Sequence, residues 1–173
     1  PRLDLGAAFI TSGEGNVIGT GTLTVGSALN LYRGSIAANL TGAAALLKQS
    51  TGTVTLSGDT SGLTGVTTLS RGTLVLDYTT NNTSKLSDTA VMSALGGTLS
   101  LTGNASAATS ETIGGITIGV GSTRLVVNNG TGQTAALNVN GITRSAIGGT
   151  LDVTLSSGSA SVATSTANGA GTI

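Results

Sequence analysis

Residues 46–76 read LLKQSTGTVTLSGDTSGLTGVTTLSRGTLVL. One short pattern occurs in this stretch twice, as Gly52-Thr53-Val54-Thr55-Leu56 and as Gly72-Thr73-Leu74-Val75-Leu76. In both, large apolar residues fall on every second position, the period of a half-buried strand. Thr and Val are β-branched and favour extended backbone. The pattern recurs upstream as Gly21-Thr22-Leu23-Thr24-Val25, and downstream as Gly97-Thr98-Leu99-Ser100-Leu101 and Gly149-Thr150-Leu151-Asp152-Val153. A looser copy runs from Gly121 through Leu125, Val126 and Val127, and Arg2-Leu3-Asp4-Leu5 fits as a copy without its Gly. Successive starts lie 31 (Gly21 to Gly52), 20 (to Gly72), 25 (to Gly97), 24 (to Gly121) and 28 residues apart (to Gly149).

Between the copies lie shorter candidate strands: Val66-Thr67-Thr68-Leu69, the segment holding Ile113, Ile116 and Ile118, and Ala136-Leu137-Asn138-Val139. Clusters such as Gly13-Glu14-Gly15-Asn16, Asn129-Gly130 and Asn140-Gly141 read as turns that use positive φ. Helix signals are confined to 43–48 and 85–95, enough for a turn or two. Many short strands separated by turns fit a sandwich or a solenoid. A sandwich gives no reason for near-identical strands at such spacings, whereas one unit of this length makes one coil of a solenoid, stacking like on like. The expected fold is all-β: a right-handed parallel β-helix, or β-solenoid, of about seven coils, rising to a rod of roughly 34 Å. Its interior would hold Leu74, Leu76, Leu99 and Leu101 in consecutive coils, with Thr facing out. Residues 1–155 are read as coils. Residues 156–173, SSGSASVATSTANGAGTI, are read as a polar strand or a connection to a next unit, because Val162 and Ile173 alone are large and apolar there.

Composition supports this reading and removes many functions. Aromatics are 2% and charged residues 8%, where ordinary domains carry about 25% charged residues. Gly is 28 of 173, yet shows no three-residue period. The 38% hydrophobic content with zero net charge is not that of a disordered chain. A narrow solenoid interior filled by Leu, Val, Ile and Ala also leaves little room for Trp. The seven basic residues are scattered singly, so nothing resembles a nucleic-acid patch. The longest notable apolar run, within 42–47, is far short of the roughly 20 residues that span a bilayer, so no membrane insertion is expected. There is no Cys and no His, which excludes disulfides, thiol chemistry, His ligation of metals and a Ser-His-Asp triad. The chain opens on Pro1-Arg2-Leu3-Asp4-Leu5 in mid-strand with no leader pattern, as expected of a processed chain or a piece of a longer one.

Candidate chemistry is sparse. The acids are Asp4, Glu14, Asp59, Asp77, Asp88, Glu111 and Asp152. A solenoid glycosidase needs two carboxylates within about 10 Å. Asp4 and Asp152 take the same strand position in coils at opposite ends, and Asp59 and Asp77 fall in adjacent coils at different offsets. No catalytic residue is assigned. No Gly-Gly-x-Gly-x-Asp calcium turn is present, so no metal or cofactor residue is assigned either. Asn39, Asn81, Asn82, Asn104 and Asn129 head Asn-x-Ser/Thr triplets, which a chain this rich in Asn, Ser and Thr forms by chance. Aromatics that could stack on glycans are limited to Tyr32, Tyr78 and Phe9.

Residues 46–76 closely resemble the autotransporter-associated β-strand repeat, in which Leu-x-Lys precedes Gly-Thr-Leu-Thr-Leu-Ser-Gly, a Gly-Thr-Thr and a second Gly-Thr-Leu. Lys48, Gly52, Thr53, Val54, Leu56, Ser57, Gly58, Gly65, Thr67, Gly72, Thr73 and Leu74 fall on those positions. Ser50 and Leu63 depart from it, where the family often has Gly and Tyr. Residues 96–171 are similar to inter-repeat regions of large bacterial surface proteins that carry this repeat, in GGTLSLTGNASAATSETIGGITI, ALNVNGITRSAIGGTLDV and SVATSTANGAG. The resemblance implies an extracellular or cell-surface β-helical region with no catalytic residues. The expected function is a structural segment of a stalk, sheath or filament that stacks end to end with itself or with adjacent segments. The alternative is an adhesin that binds glycans through a lateral face.

Overall fold

The structure is a computed structural model that describes residues 4–5, 9–10, 15–19 and 21–167. Its regular elements are all strands, and every pairing between them is parallel. The first coil holds β1 (Asp4–Leu5), β2 (Phe9–Ile10) and β3 (Gly15–Val17). The second holds β4 (Thr22–Val25), β5 (Leu29–Leu31) and β6 (Gly34–Ile36), and the third β7 (Asn39–Gly42), β8 (Leu46–Lys48) and β9 (Thr53–Leu56). Then come β10 (Gly62–Leu63), β11 (Thr67–Leu69) and β12 (Thr73–Asp77). The fifth coil has only β13 (Val91–Ala94) and β14 (Gly97–Thr102). The sixth has β15 (Thr109–Ile113), β16 (Gly115–Ile118) and β17 (Ser122–Asn128), and the seventh β18 (Ala135–Val139), β19 (Ile142–Arg144) and β20 (Thr150–Leu155). A last strand, β21 (Ala160–Thr164), stacks on β18.

Each coil except the fifth contributes one strand to each of three faces. The second and third faces are continuous seven-stranded sheets, β2-β5-β8-β11-β13-β16-β19 and β3-β6-β9-β12-β14-β17-β20. The first face is split into β1-β4-β7-β10 and β15-β18-β21, because the fifth coil places the irregular segment 78–90 there. The chain is therefore a β-solenoid, as its repeats require.

Register explains the core. On the third face Leu74 pairs with Leu99 and Leu76 with Leu101, and all four are fully buried. The ladder runs from Ile36 through Leu56, Leu76 and Leu101 to Val127, one residue per coil. The intervening Thr53, Thr73 and Thr98 form an outward rank. Buried apolar area of this kind stabilises by roughly 25 cal/mol per Å².

Three expectations need correction. The Gly21 copy does not share a face with the later ones, since Thr22–Val25 lies on the first face, where it pairs with Asp4-Leu5. The third-face place of that coil is filled by Gly34-Ser35-Ile36, too short to show alternation, so the 31-residue gap is not one coil. The true step along the third face is 20 residues (Val54 to Leu74), then 25 (Leu74 to Leu99), 26 (Leu99 to Leu125) and 28 (Leu125 to Val153). The solenoid widens along its length. The helix signals also fail: 46–48 and 91–94 are strands, because the ladder supplies backbone partners that an isolated helical turn lacks. Positive φ falls at Gly72 and Gly148 among others, not at Gly130 or Gly141.

Candidate functional site: a buried polar joint and an open end

Residues 78–90 read YTTNNTSKLSDTA, without apolar alternation, and make no strand. Their backbone amides on the first face must find partners other than a ladder. Glu111, on β15 one coil above, supplies them. Its carboxylate accepts the backbone N–H groups of Lys85 and Leu86, both at 2.9 Å, and the Ser84 hydroxyl at 3.1 Å. From the coil below, the Thr60 hydroxyl donates to the Lys85 carbonyl. The Lys85 ammonium donates to the Asn81 and Thr83 carbonyls, both at 2.9 Å, and sits 4.6 Å from the centroid of the Tyr78 ring. Lys85, Glu111 and Tyr78 are all fully buried. Burial pushes the Glu111 carboxyl up to about 7, against the pull of its two backbone donors, while the negative charge of Asp59 adds to the rise. Burial brings the Lys85 ammonium down to about 8, opposed by the carboxylates of Asp59 and Asp77. The Tyr78 hydroxyl is buried without a partner, as is that of Thr123.

Lys48 is a second buried cation. It occupies an inward ladder position between Leu31 and Leu69. Its ammonium donates to the Ser50 carbonyl, to the Ser50 hydroxyl at 3.1 Å and to the Arg71 carbonyl at 3.3 Å. It ties the corner between the second and third faces across two coils, and desolvation lowers its pKa. A shallow cleft on that corner is lined by Tyr32, Arg33, Ser50, Thr51 and Gly52.

The acids singled out in the sequence do not converge on one cleft. Asp59 and Asp77 each cap a local turn: Asp59 accepts from the Ser61 backbone (3.0 Å) and hydroxyl (2.7 Å), and Asp77 from the Thr79 backbone (2.9 Å) and hydroxyl (2.7 Å). Both act on Lys85 electrostatically from a distance. Asp152 pairs with Arg124 at 3.2 Å on the outer surface, where both side chains are more than half exposed. Asp4 lies on the first face and Asp152 on the third, so the strand position they were expected to share is not common to them. Glu14 lies outside the described residues. Among the described residues no group of three or more acidic side chains is arranged to hold a metal ion.

Three of the Asn residues of the Ser/Thr triplets bridge coils. Asn39 accepts the Asp59 backbone N–H at 2.9 Å, and Asn82 donates to the Ala108 carbonyl at 2.8 Å. Asn104 donates to the Tyr78 carbonyl at 2.9 Å. Each of these bonds joins one coil to a neighbouring one. Sequence reasoning overlooked the buried charges, although the signal was there. Lys48 shares the parity of Leu46, and Glu111 that of Ile113.

At the far end of the array, β19, β20 and β21 each have a strand partner on one side only among the described residues. Val153 and Leu155 continue the interior ladders of Leu125 and Val127, which are fully buried, yet they are 45% and 43% exposed. Ile147, at the adjoining corner, is 97% exposed. The interior of the solenoid is open here.

Comparison of the chain with known protein families, with curated proteins and with solved structures gives no match.

Proposed function

We propose that this chain is a structural segment of an extracellular or cell-surface stalk, sheath or filament that elongates by strand addition at its open end. The observation that carries the reading is the exposure of Val153 and Leu155, core-ladder residues with no strand above them among the described residues. An uncovered parallel edge with an apolar interior behind it is a template for another strand layer. The occupant that fits is the next coil of a β-solenoid, from an adjacent segment or a second copy. The low charge, the Thr-rich exterior and the resemblance of 46–76 to the autotransporter-associated repeat support a location outside a bacterial cell. Sedimentation and electron microscopy of concentrated protein test the reading. End-to-end particles are expected, and Leu155→Lys should shorten them. Monodisperse monomers at every concentration, unchanged by Leu155→Lys, would overturn it.

A second reading, a glycan-binding adhesin, rests on the corner cleft where the Tyr32 ring is 38% exposed beside Arg33, Ser50 and Thr51. A glycan array in which wild type binds and Tyr32→Ala does not would favour it.

A further inference from the structure

Asn followed by Gly is the dipeptide most open to intramolecular attack, because Gly leaves the following amide nitrogen unhindered. The chain has three such pairs, at Asn129, Asn140 and Asn168, the last outside the described residues. The structure treats the two described pairs differently.

Asn129 is locked. Its side-chain amide donates to the Gly130 and Gln133 carbonyls, both at 3.1 Å. Its side-chain carbonyl accepts the hydroxyls of Ser156 at 2.6 Å and Ser157 at 2.8 Å. Gly130 is buried, and a Cβ there would stand 1.9 Å from the Asn104 carbonyl oxygen. Asn140, in the corner between β18 and β19, is exposed on an open cleft with Asn138 and Ser165. Among the described residues its side-chain amide makes a single hydrogen bond, to the Asp88 carbonyl at 3.5 Å, the outer limit of a hydrogen bond. The Gly141 N–H donates to no acceptor among the described residues, while the backbone on either side is held by the Asn140 N–H on the Ile113 carbonyl (3.2 Å) and the Gly141 carbonyl on the Ile116 N–H (2.7 Å).

We propose that Asn140 is a spontaneous deamidation site of the folded protein, a modification that Asn129 resists. The Gly141 backbone nitrogen, losing its proton to solvent, attacks the Asn140 side-chain carbonyl carbon. A C–N bond forms, the bond to Nδ2 breaks, and Nδ2 leaves as ammonia with a proton from water. Water then opens the resulting succinimide at either carbonyl and restores the N–H, giving aspartate or isoaspartate. Both products add a negative charge to this corner. Isoaspartate also inserts one more backbone carbon between β18 and β19, lengthening the corner of the last three-stranded coil.

The test is to incubate the folded chain at mildly alkaline pH and follow conversion by peptide mapping, using fragment ions that separate Asn129 from Asn140. A parallel sample in denaturant, where both sites are equally free, calibrates the intrinsic rates. Asn140 should convert at least about tenfold faster than Asn129 in the folded chain, the factor that one net hydrogen bond holding Asn129 supplies, and at a comparable rate in denaturant. Gly141→Ala should slow Asn140 severalfold while the coil folds normally, since the φ there is ordinary and a Cβ meets only the Thr166 hydroxyl, at 4.0 Å. Equal or reversed rates at the two sites in the folded chain, an Asn140 that converts only when unfolded, or a Gly141→Ala chain that reacts as fast as wild type would each overturn the proposal.

Discussion

Glu111 and Lys85, with Lys48, are the described groups whose burial makes stability depend on pH. The Glu111 carboxyl is raised to about 7, so the folded chain keeps a proton that the unfolded chain releases above the ordinary carboxyl range. The stability this contributes is present at low pH and is lost as pH rises toward about 7. Lys85 is lowered to about 8, so the cost of its buried charge is present below that pH and is relieved as pH rises from about 8 to the ordinary lysine value of 10.5. Chemical denaturation across pH should show a minimum in stability between these two values. Glu111→Gln keeps an acceptor for only one of the Lys85 and Leu86 amides and sets an NH2 donor against the other, so it should lower stability at every pH, but it does not titrate and should flatten the acid side of the profile. An unchanged acid slope in that variant would show that another group is responsible. The Tyr78 hydroxyl is buried and unpartnered, so Tyr78→Phe removes a desolvated group while leaving the ring beside Lys85. Its melting temperature should equal or exceed that of wild type, because an unsatisfied buried polar group costs about 1–3 kcal/mol. A marked loss of stability would mean that the hydroxyl has a partner after all.

At the scale of the element, each strand is read by parity and each corner by close approach. Leu76 points into the ladder between Leu56 and Leu101, and Thr73 faces out beside Thr53 and Thr98. Leu76→Ala should cost about 2–5 kcal/mol in urea denaturation. Leu76→Asp should prevent folding, because an unpaired charge would enter an apolar channel, while Thr73→Asp should be tolerated. Equal tolerance at the two positions would sink the inward assignment. Gly72 turns the corner into β12 with φ +67°, and a Cβ there would stand 2.4 Å from the carbonyl oxygens of Gly52 and Ser50 in the coil below. Gly72→Ala should therefore cost more than the roughly 1–2 kcal/mol of a left-handed residue alone. Gly132→Ala, at φ +71° with nothing within 4 Å of a Cβ, is the matched control and should show only that left-handed cost. The alternation of Leu and Thr made the strands legible. The corners were not, because a glycine needed for contact with the coil below looks the same in sequence as one needed for a turn.

Over the whole molecule, the three faces differ in continuity. The second and third run unbroken through seven strands, while the first is interrupted by 78–90 and rejoined through Glu111. At the end, β21 covers the edge of β18, whose Ala135, Leu137 and Val139 are each 1% exposed. Deleting residues 156–173 uncovers that edge but leaves the two longer sheets intact. The truncated chain should keep its β-rich circular dichroism, lose some stability, and assemble less. Normal assembly of the truncated chain would show that the first-face edge plays no part in it, and outright unfolding would make the stretch part of the core.

The sequence by itself determined the architecture. Alternating Leu, Val and Thr after Gly, repeated at coil-like intervals, can bury its apolar positions only by stacking like on like, and the parity of Leu74, Leu76, Leu99 and Leu101 specified the interior. Tertiary structure alone decided which copy belongs to which face, because Gly21-Thr22-Leu23-Thr24-Val25 carries the same local pattern as the copy at Gly52 and differs only in its neighbours above and below. It also decided the fate of the charges. Lys48, Lys85 and Glu111 read as surface residues by type, yet they are buried because the backbone groups of adjacent coils offer them partners that no stretch of sequence displays.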